Sequence, residues 1–267
     1  MTETRLVKAA LRVVTAGVLG FIYLPLVVLA IYAFNESRIQ VWPPSGFTLH
    51  WFAEAAENTA VRRAVLNSLT AASAATLLAL VLGTLAALAV QRYEFFGRQT
   101  ISFFLVLPIA LPGVVSGIAL RTTFTTLDVD LGLMTIIVGH ATFCVVVVYN
   151  NVLARLRRLP RSPEEASADL GADAFTTFRR ITLPAVWTSL LSGGLLAFAL
   201  SFDEIIVTIF TAGAGTQTVP MWVYSAIQRP NELPVVNVVA LVLIIVSIVP
   251  VYIAQRLSGE AVRGAGI

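Results

Sequence analysis

The chain has 267 residues, of which 57% are hydrophobic and 12% are charged, whereas about 25% of the residues in an ordinary soluble domain are charged. Eighteen basic and 15 acidic residues are too few to cover a soluble fold of this length, so the composition excludes a water-soluble globule and indicates a membrane protein. The net charge of +3 comes from Lys and Arg residues scattered between apolar runs, and this scatter disfavours a nucleic-acid-binding protein.

Six apolar runs, each close to the 20 or so residues that cross a bilayer, predict six transmembrane helices. Continuous runs disfavour a β-barrel, so the predicted fold class is an all-α membrane protein with residues 1–267 in a single domain. The first run is longer than the apolar region of a signal peptide, which favours a retained span. The predicted spans are Val13–Phe34, Ser68–Val90, Ile101–Leu120, Leu131–Tyr149, Ala185–Phe210 and Val235–Ile253.

Basic residues set the predicted orientation of these spans. Thirteen of the 18 Lys and Arg residues fall on one side of the predicted membrane, the side that carries both termini and the long segment 150–184. Because basic residues accumulate on the cytoplasmic side, both termini and this segment are predicted to be cytoplasmic. Segments 35–67 and 211–234 are predicted to lie outside.

The third span contains two prolines, Pro108 and Pro112, followed by Gly113. A proline inside a helix removes a hydrogen bond and clashes with the preceding turn. The span is therefore predicted to be kinked or broken here.

The segment 150–184 carries signals for two short helices. Ser162 with Glu165 forms a capping-box pattern, which predicts a helix over Pro163–Leu170. Gly171 is suited to end that helix, and Asp173 to cap a second one. Exposed apolar and small residues here indicate a docking element for a soluble partner. An amphipathic loop at the lipid headgroups is the alternative.

One set of residues in this segment matches a known motif in type and spacing. It consists of Glu165-Ala166-Ser167, then Gly171 after three residues, then Ile181, Leu183 and Pro184 after nine more. The set resembles the EAA-x3-G-x9-I-x-L-P motif of ABC importer permeases, with serine in place of the second alanine. The resemblance implies a type I permease fold in which this coupling loop, 150–184, seats in a separate ATPase subunit. The residues that it assigns to coupling are Glu164, Glu165, Ala166, Ser167, Gly171, Ile181, Leu183 and Pro184.

The likeness extends from Tyr23 to Leu257 and is strongest to the C-type permease subunit of polyamine (spermidine/putrescine) importers. The chain departs from that pattern at Gly113, where such permeases can carry an acid, and this departure disfavours spermidine itself. The matching segments are Phe34-Asn35, Gly46-Phe47-Thr48 with Trp51, Tyr93-x-Phe95-x-Gly97, Gly139-His140-Ala141-Thr142-Phe143 and Ser201-Phe202-Asp203-Glu204.

The resemblance implies a subunit of an ATP-driven importer in the bacterial inner membrane. Its implied partners are a second permease of the B type, two ATPase subunits and an external substrate-binding protein, all working at the lipid bilayer and without nucleic acid. The cargo implied is a polyamine, and an iron complex, an oxyanion or an amino-acid-like solute remains the alternative. The chain itself is not expected to be an enzyme or to hold a cofactor, because ATP and Mg would be bound by the ATPase.

Two acids, Asp203 and Glu204, lie inside the fifth predicted span, where a carboxylate costs about 2.5–3.5 kcal/mol to insert and indicates function. They follow Pro184 by 19 and 20 residues, or roughly 28–30 Å along a helix, which places them toward the outer side. Paired acids suit a cationic substrate. A salt bridge to Arg121 is the alternative.

Glu204 is preferred over Asp203 for the substrate path, because helical spacing places it on one stripe with Ser201 and Thr208. Trp51 is a further candidate, since an indole ring can hold an ammonium by cation–π contact. A tryptophan of the interfacial belt is the alternative for Trp51. His140, which lies in the fourth predicted span, is expected to pack and satisfy its hydrogen bonds rather than to relay protons.

Other functions lack the residues that they need. The sequence contains no Walker-type glycine-rich loop with a lysine, so nucleotide binding by the usual loop is excluded. With one cysteine and two histidines, no zinc-protease site is expected, and Cys144 is interpreted as a small buried residue. A secondary transporter, which would need no ATPase, is the alternative from a different class.

Overall fold

The computed structural model describes residues 5–247, and within this range the chain is helical, with one isolated bridge between Asn35 and Phe47 as its only β pairing. The predicted all-α fold class is therefore confirmed. The helices are α1 (Arg5–Ala33), α2 (His50–Glu57), α3 (Thr59–Arg92), α4 (Arg98–Ala110), α5 (Gly113–Thr126), α6 (Leu133–Leu156), α7 (Ser162–Asp169), α8 (Ala174–Thr177), α9 (Leu183–Asp203), α10 (Ile206–Thr211) and α11 (Val219–Ile227). A π-helical turn, Phe178–Thr182, joins α8 to α9, and the last described span is Pro230–Ser247.

Five of the six predicted spans overlap helices that are long and apolar enough to cross a membrane. The remaining span is α4 and α5, which meet at an angle of 105°. The break predicted at the prolines is confirmed, and it lies at Leu111 and Pro112, between the two helices. Residues 248–253 of the sixth predicted span and both termini lie outside the described residues.

One predicted boundary is wrong. The sequence predicts a fifth span that is one helix as far as Phe210, but α9 ends at Asp203 and α10 begins at Ile206. The helix α6 continues to Leu156, beyond the predicted end of the fourth span at Tyr149, because a helix need not end where it leaves the membrane. The short helices α2 and α11, each under ten residues, gave no span signal and were not predicted.

The residues of Arg63–Trp222 form one compact unit. Its apolar core lies where α6 packs against α9, with α3 and α4 alongside. Small side chains of α3 and β-branched side chains of α6 dominate this core, and Cys144 is fully buried in it, as predicted. Close packing of this kind holds membrane helices together, because lipid is as apolar as the helix surfaces and leaves no hydrophobic driving force between them.

Met1–Arg62 and Val223–Ile267 form the second unit. In its described part, α1 exposes apolar side chains along nearly its whole length, including Phe21 and Leu24. A helix that is apolar on all sides is suited to contact lipid or other membrane helices.

Candidate functional site

The coupling loop folds as a helical hairpin of α7 and α8. Gly171 has a φ of +82° and ends α7 in a Schellman motif, in which the Gly171 N–H donates to the Ala168 carbonyl (2.9 Å) and the Ala172 N–H to the Ser167 carbonyl (3.1 Å). The predicted role of Gly171 as a helix stop is confirmed. The predicted capping box is wrong, since the N-cap is Arg161 and no side chain makes a capping hydrogen bond.

Asp173 begins the second arm of the hairpin, as predicted. Its Oδ1 accepts a hydrogen bond of 2.7 Å from the Thr176 N–H. Hydrogen bonds from the Thr176 hydroxyl and backbone N–H hold the pKa of Asp173 below its usual range. The two arms are joined by a hydrogen bond of 2.9 Å between the hydroxyls of Ser167 and Thr177, so the serine that departs from the motif stabilises the hairpin.

Glu164 attaches the hairpin to the rest of the membrane unit. Its carboxylate accepts a charge-assisted hydrogen bond of 3.0 Å from Arg92 Nη2, at the end of α3, and its Oε2 lies 2.9 Å from Arg92 Nε in an ion-pair contact. It also accepts a bond of 2.8 Å from the Thr182 hydroxyl, just before α9. A third contact comes from Arg161, which donates to the Gln91 carbonyl at 2.8 Å. The start of α7 is therefore bound to both α3 and α9.

The outer face of the hairpin is exposed and partly apolar. The side chain of Leu170 is 90% exposed and that of Phe175 69%, and Glu165 and Ala166 are exposed beside them. The other motif residues divide by position: Ile181 and Leu183 are half-buried, and Pro184 is exposed in the first turn of α9. An exposed apolar surface of this kind is suited to a protein partner.

The Arg92 and Glu164 pair carries a testable prediction. Both side chains are largely buried, with 12% and 21% of their areas exposed, so removing one charge leaves the other without its partner. Glu164→Gln and Arg92→Gln should each lower the melting temperature by about 2–4 °C, as expected for about 1–2 kcal/mol, and the double variant should melt near either single one.

The matched control is the exposed pair of Arg229 and Glu232, where the same substitutions should change the melting temperature little, because exposed ion pairs contribute at most about 1 kcal/mol. Additive losses from Glu164→Gln and Arg92→Gln in scanning fluorimetry of the detergent-solubilised chain would contradict the pairing.

Asp203 and Glu204 lie where α9 breaks. Glu204 is extended, with ψ of 117°, and its Oε1 accepts a hydrogen bond of 2.9 Å from the Val207 N–H. The carboxylate thus caps the first turn of α10. Together with Leu196 and Leu200, both acids line an open pocket of about 360 Å³. In the described part of the chain, neither carboxylate forms a salt bridge, and Arg121 is exposed without one.

The stripe that singled out Glu204 assumed one continuous helix, and the break makes that argument wrong. Ser201 and Thr208 are buried, with 2% and 0% of their areas exposed. Their hydroxyls lie 2.8 and 2.9 Å from the two ring nitrogens of His140 on α6. The expectation that His140 satisfies its hydrogen bonds is confirmed, while a direct contact of the two hydroxyls with cargo stays a prediction.

Glycines let α10 pack closely against α5 and α6. A Cβ atom at Gly139 would lie 3.1 Å from Val207 Cγ1, and one at Gly113 would lie 3.3 Å from Ile206 Cγ2. A Cβ at Gly117 would overlap the ring of Phe210. Sequence reasoning missed this contact, although the spacing of Gly113 and Gly117, one helical turn apart, was a signal for it. The two broken spans therefore meet near their breaks.

Trp51 lies in the other unit and anchors the segment that follows α1. Its side chain is 4% exposed, its indole N–H donates to the Asn35 carbonyl at 2.8 Å, and the Arg38 guanidinium lies 5.2 Å from its ring centroid. In this conformation the ring contacts a cation from its own chain. A contact between Trp51 and cargo stays a prediction.

Comparisons with known proteins agree with this arrangement. The chain is 35% identical to the putrescine transport system permease protein PotI of Escherichia coli (strain K12), covering 98% of this chain and 97% of that one. It is 32% identical to the spermidine/putrescine transport system permease protein PotC of the same strain, over 93% of each. A crystal structure of a bacterial ABC transporter that imports alginate has the same fold, with a TM-score of 0.74 at 15% identity over 96% of this chain and 99% of the other.

The family match covers most of the part of the chain described above. Residues 79–264 match the family described as binding-protein-dependent transport system inner membrane component, and this range contains the hairpin, its attachment at Arg92 and both helix breaks. The predicted family and the predicted inner-membrane location are confirmed. The chain belongs to the family of inner-membrane components of binding-protein-dependent transport systems.

Proposed function

We propose that this chain is a permease subunit of an ATP-driven importer whose cargo is a polyamine. The observation that carries the cargo assignment is the pair of acids at the break of α9, Asp203 and Glu204, which line a pocket and form no ion pair within the described residues. A flexible dication can offer one ammonium to each carboxylate. The 35% identity to a putrescine permease over nearly the whole chain supports the same cargo class.

The exposed hairpin supports a role for an ATPase partner. Leu170 and Phe175 offer apolar contact area outside the membrane unit, and Glu164 transmits force from the hairpin to α3 and α9 through its bonds to Arg92 and Thr182. ATP and Mg would be held by the ATPase subunits, and the chain itself would hold no cofactor. A second permease and an external binding protein would complete the transporter.

The mechanism follows from these attachments. When ATP binding draws the two ATPase subunits together, each hairpin moves with the subunit that holds it. Because α7 is bound to the ends of α3 and α9, those helices shift with it as rigid elements. The pocket beside Asp203 and Glu204 then opens alternately to the outside and to the cytoplasm. The charge of the acids favours entry of a cation from the binding protein.

The first test is ATP hydrolysis by the complete transporter in vesicles. The binding protein would be loaded in turn with putrescine, spermidine, an iron complex and an oxyanion. The expected result is stimulation by the polyamines, about tenfold above the rate with the empty binding protein, a change that corresponds to about 1.4 kcal/mol. Stimulation by the iron complex or the oxyanion alone would overturn the polyamine proposal. Uptake by the chain without any ATPase would overturn the importer proposal and favour a secondary transporter.

A further inference from the structure

His140 joins the two sides of the break in α9. The ring is fully buried on α6, and its Nδ1 lies 2.8 Å from the hydroxyl of Ser201, in the last turn of α9. Its Nε2 lies 2.9 Å from the hydroxyl of Thr208, in the first turns of α10. One side chain on a neighbouring helix therefore holds both ends of an interrupted span.

The hydrogen bonds around this ring have a defined direction. The Thr208 hydroxyl donates its one proton to the Glu204 carbonyl at 2.7 Å. Its oxygen must therefore accept from His140, so Nε2 carries the proton. In the neutral ring, Nδ1 is then the acceptor and Ser201 is the donor. The chain of bonds runs from Ser201 through His140 and Thr208 to the backbone of Glu204.

Glu204 is tied to α10 at two points. Its carbonyl accepts from the Thr208 hydroxyl, and its Oε1 accepts from the Val207 N–H at 2.9 Å. The position of the carboxylate thus follows the first turn of α10. His140 holds that turn against the end of α9. His140 is buried and lines no part of the pocket, but through these bonds it is connected to the acids that do.

We propose that His140 is a positioning residue, which clasps the break between α9 and α10 and so fixes where the Glu204 carboxylate lies in the pocket. Its effect on transport rests on the proposed function, whereas its effect on the geometry of the break does not. An apolar residue in its place would leave the buried Ser201 hydroxyl without its acceptor and the Thr208 oxygen without its donor, while Thr208 would keep its bond to the Glu204 carbonyl. The Ser201 hydroxyl would turn toward another acceptor, the link between α9 and α10 would be lost, and the break would open.

A thiol reporter at the break tests the geometry without reference to cargo. Cys144 is the only cysteine of the chain, so Cys144→Ala gives a cysteine-free parent, and Asp203→Cys adds a single thiol beside Glu204. The measurement is the rate at which a charged methanethiosulfonate reagent modifies this thiol in the assembled transporter.

The expected result is a modification rate changed by about fivefold or more in His140→Leu, and within about twofold of the parent in His140→Gln, because the glutamine amide, like the neutral ring, offers both a donor and an acceptor. Thr208→Val should change the rate in the same direction as His140→Leu, since it breaks the same chain of bonds without altering the ring. An unchanged rate in both His140→Leu and Thr208→Val would overturn the clasp.

The chain offers a matched control on the same helix. Thr211 is as buried as Thr208, but its hydroxyl donates only to the Val207 carbonyl of its own helix, at 2.9 Å. Thr211→Val should leave the modification rate within about twofold of the parent. The lost hydroxyl bond only adds to the backbone hydrogen bonding of the Val207 carbonyl within the same helix. An equal change in Thr208→Val and Thr211→Val would mean general loosening of α10 and would overturn a specific clasp.

Polyamine-stimulated ATP hydrolysis is the second readout, measured in the otherwise unaltered chain. His140→Leu should reduce the stimulated part about tenfold, and His140→Gln should recover at least about half of it. Equal loss in the two variants would overturn the positioning role. If no polyamine stimulates the wild-type transporter, the proposed function fails, and the thiol measurement still decides whether His140 holds the break.

Discussion

Glu204→Gln is expected to lower polyamine-stimulated ATP hydrolysis by about tenfold or more, because the substitution removes the charge proposed to face the cargo and changes little else. A carboxylate and an ammonium about 4 Å apart attract by up to about 4 kcal/mol near a protein surface, and half of that would exceed a tenfold effect. The glutamine Oε1 can still accept from the Val207 N–H, as the glutamate does. The cap of α10 is therefore preserved.

Two further variants show whether charge or shape matters. Glu204→Ala removes the cap as well as the charge and should also destabilise α10, by about 1 kcal/mol. Asp203→Asn removes the neighbouring charge, and the Asp203 side chain has no hydrogen bond among the described residues to lose. Full stimulation by putrescine in Glu204→Gln combined with Asp203→Asn would contradict the cation site, and the acids would then be structural.

Gly171→Val is expected to reduce binding of the ATPase subunit while the permease itself stays folded. Residue 171 has a φ of +82°, a conformation that costs a residue with a Cβ about 1–2 kcal/mol. No atom lies within 4 Å of the position of that Cβ, so the cost comes from the backbone and not from a clash. The Schellman turn should open, displace Leu170, and reduce co-purification of the ATPase by about tenfold or more.

Gly215 provides the matched control. It has a φ of +77° and equally open space around its Cβ position, but it lies in the segment 211–234, predicted to be outside. Gly215→Val should lower the melting temperature as much as Gly171→Val does, and leave ATPase binding intact. Gly171→Asn should retain more binding than Gly171→Val, because asparagine tolerates the left-handed region. Equal loss of the ATPase in the Gly171 and Gly215 variants would refute a specific role for the hairpin.

In the hairpin, local sequence signals predicted the ends of the helices but not their contacts with distant parts of the chain. Gly171 as a helix stop and Asp173 as a cap were predictable, because each depends on the conformational preference of one residue and its near neighbours. The inward direction of Glu164 was not, since its partner Arg92 lies 72 residues earlier in the chain. The motif begins at Glu165, and no local pattern indicated that Glu164, directly before it, is the residue attached to α3.

The membrane helices and the family were determined by the sequence itself, because the length of an apolar run, a proline in a span and the motif around Gly171 have local physical consequences. The tertiary structure alone decided that α9 ends at Asp203. Residues 205–210 are mostly apolar and would continue a helix on hydropathy alone, but the Glu204 carboxylate caps a new turn and His140 holds both sides of the break. The two bonds of His140 join residues more than 60 positions apart, and periodicity along one segment contains no information about them.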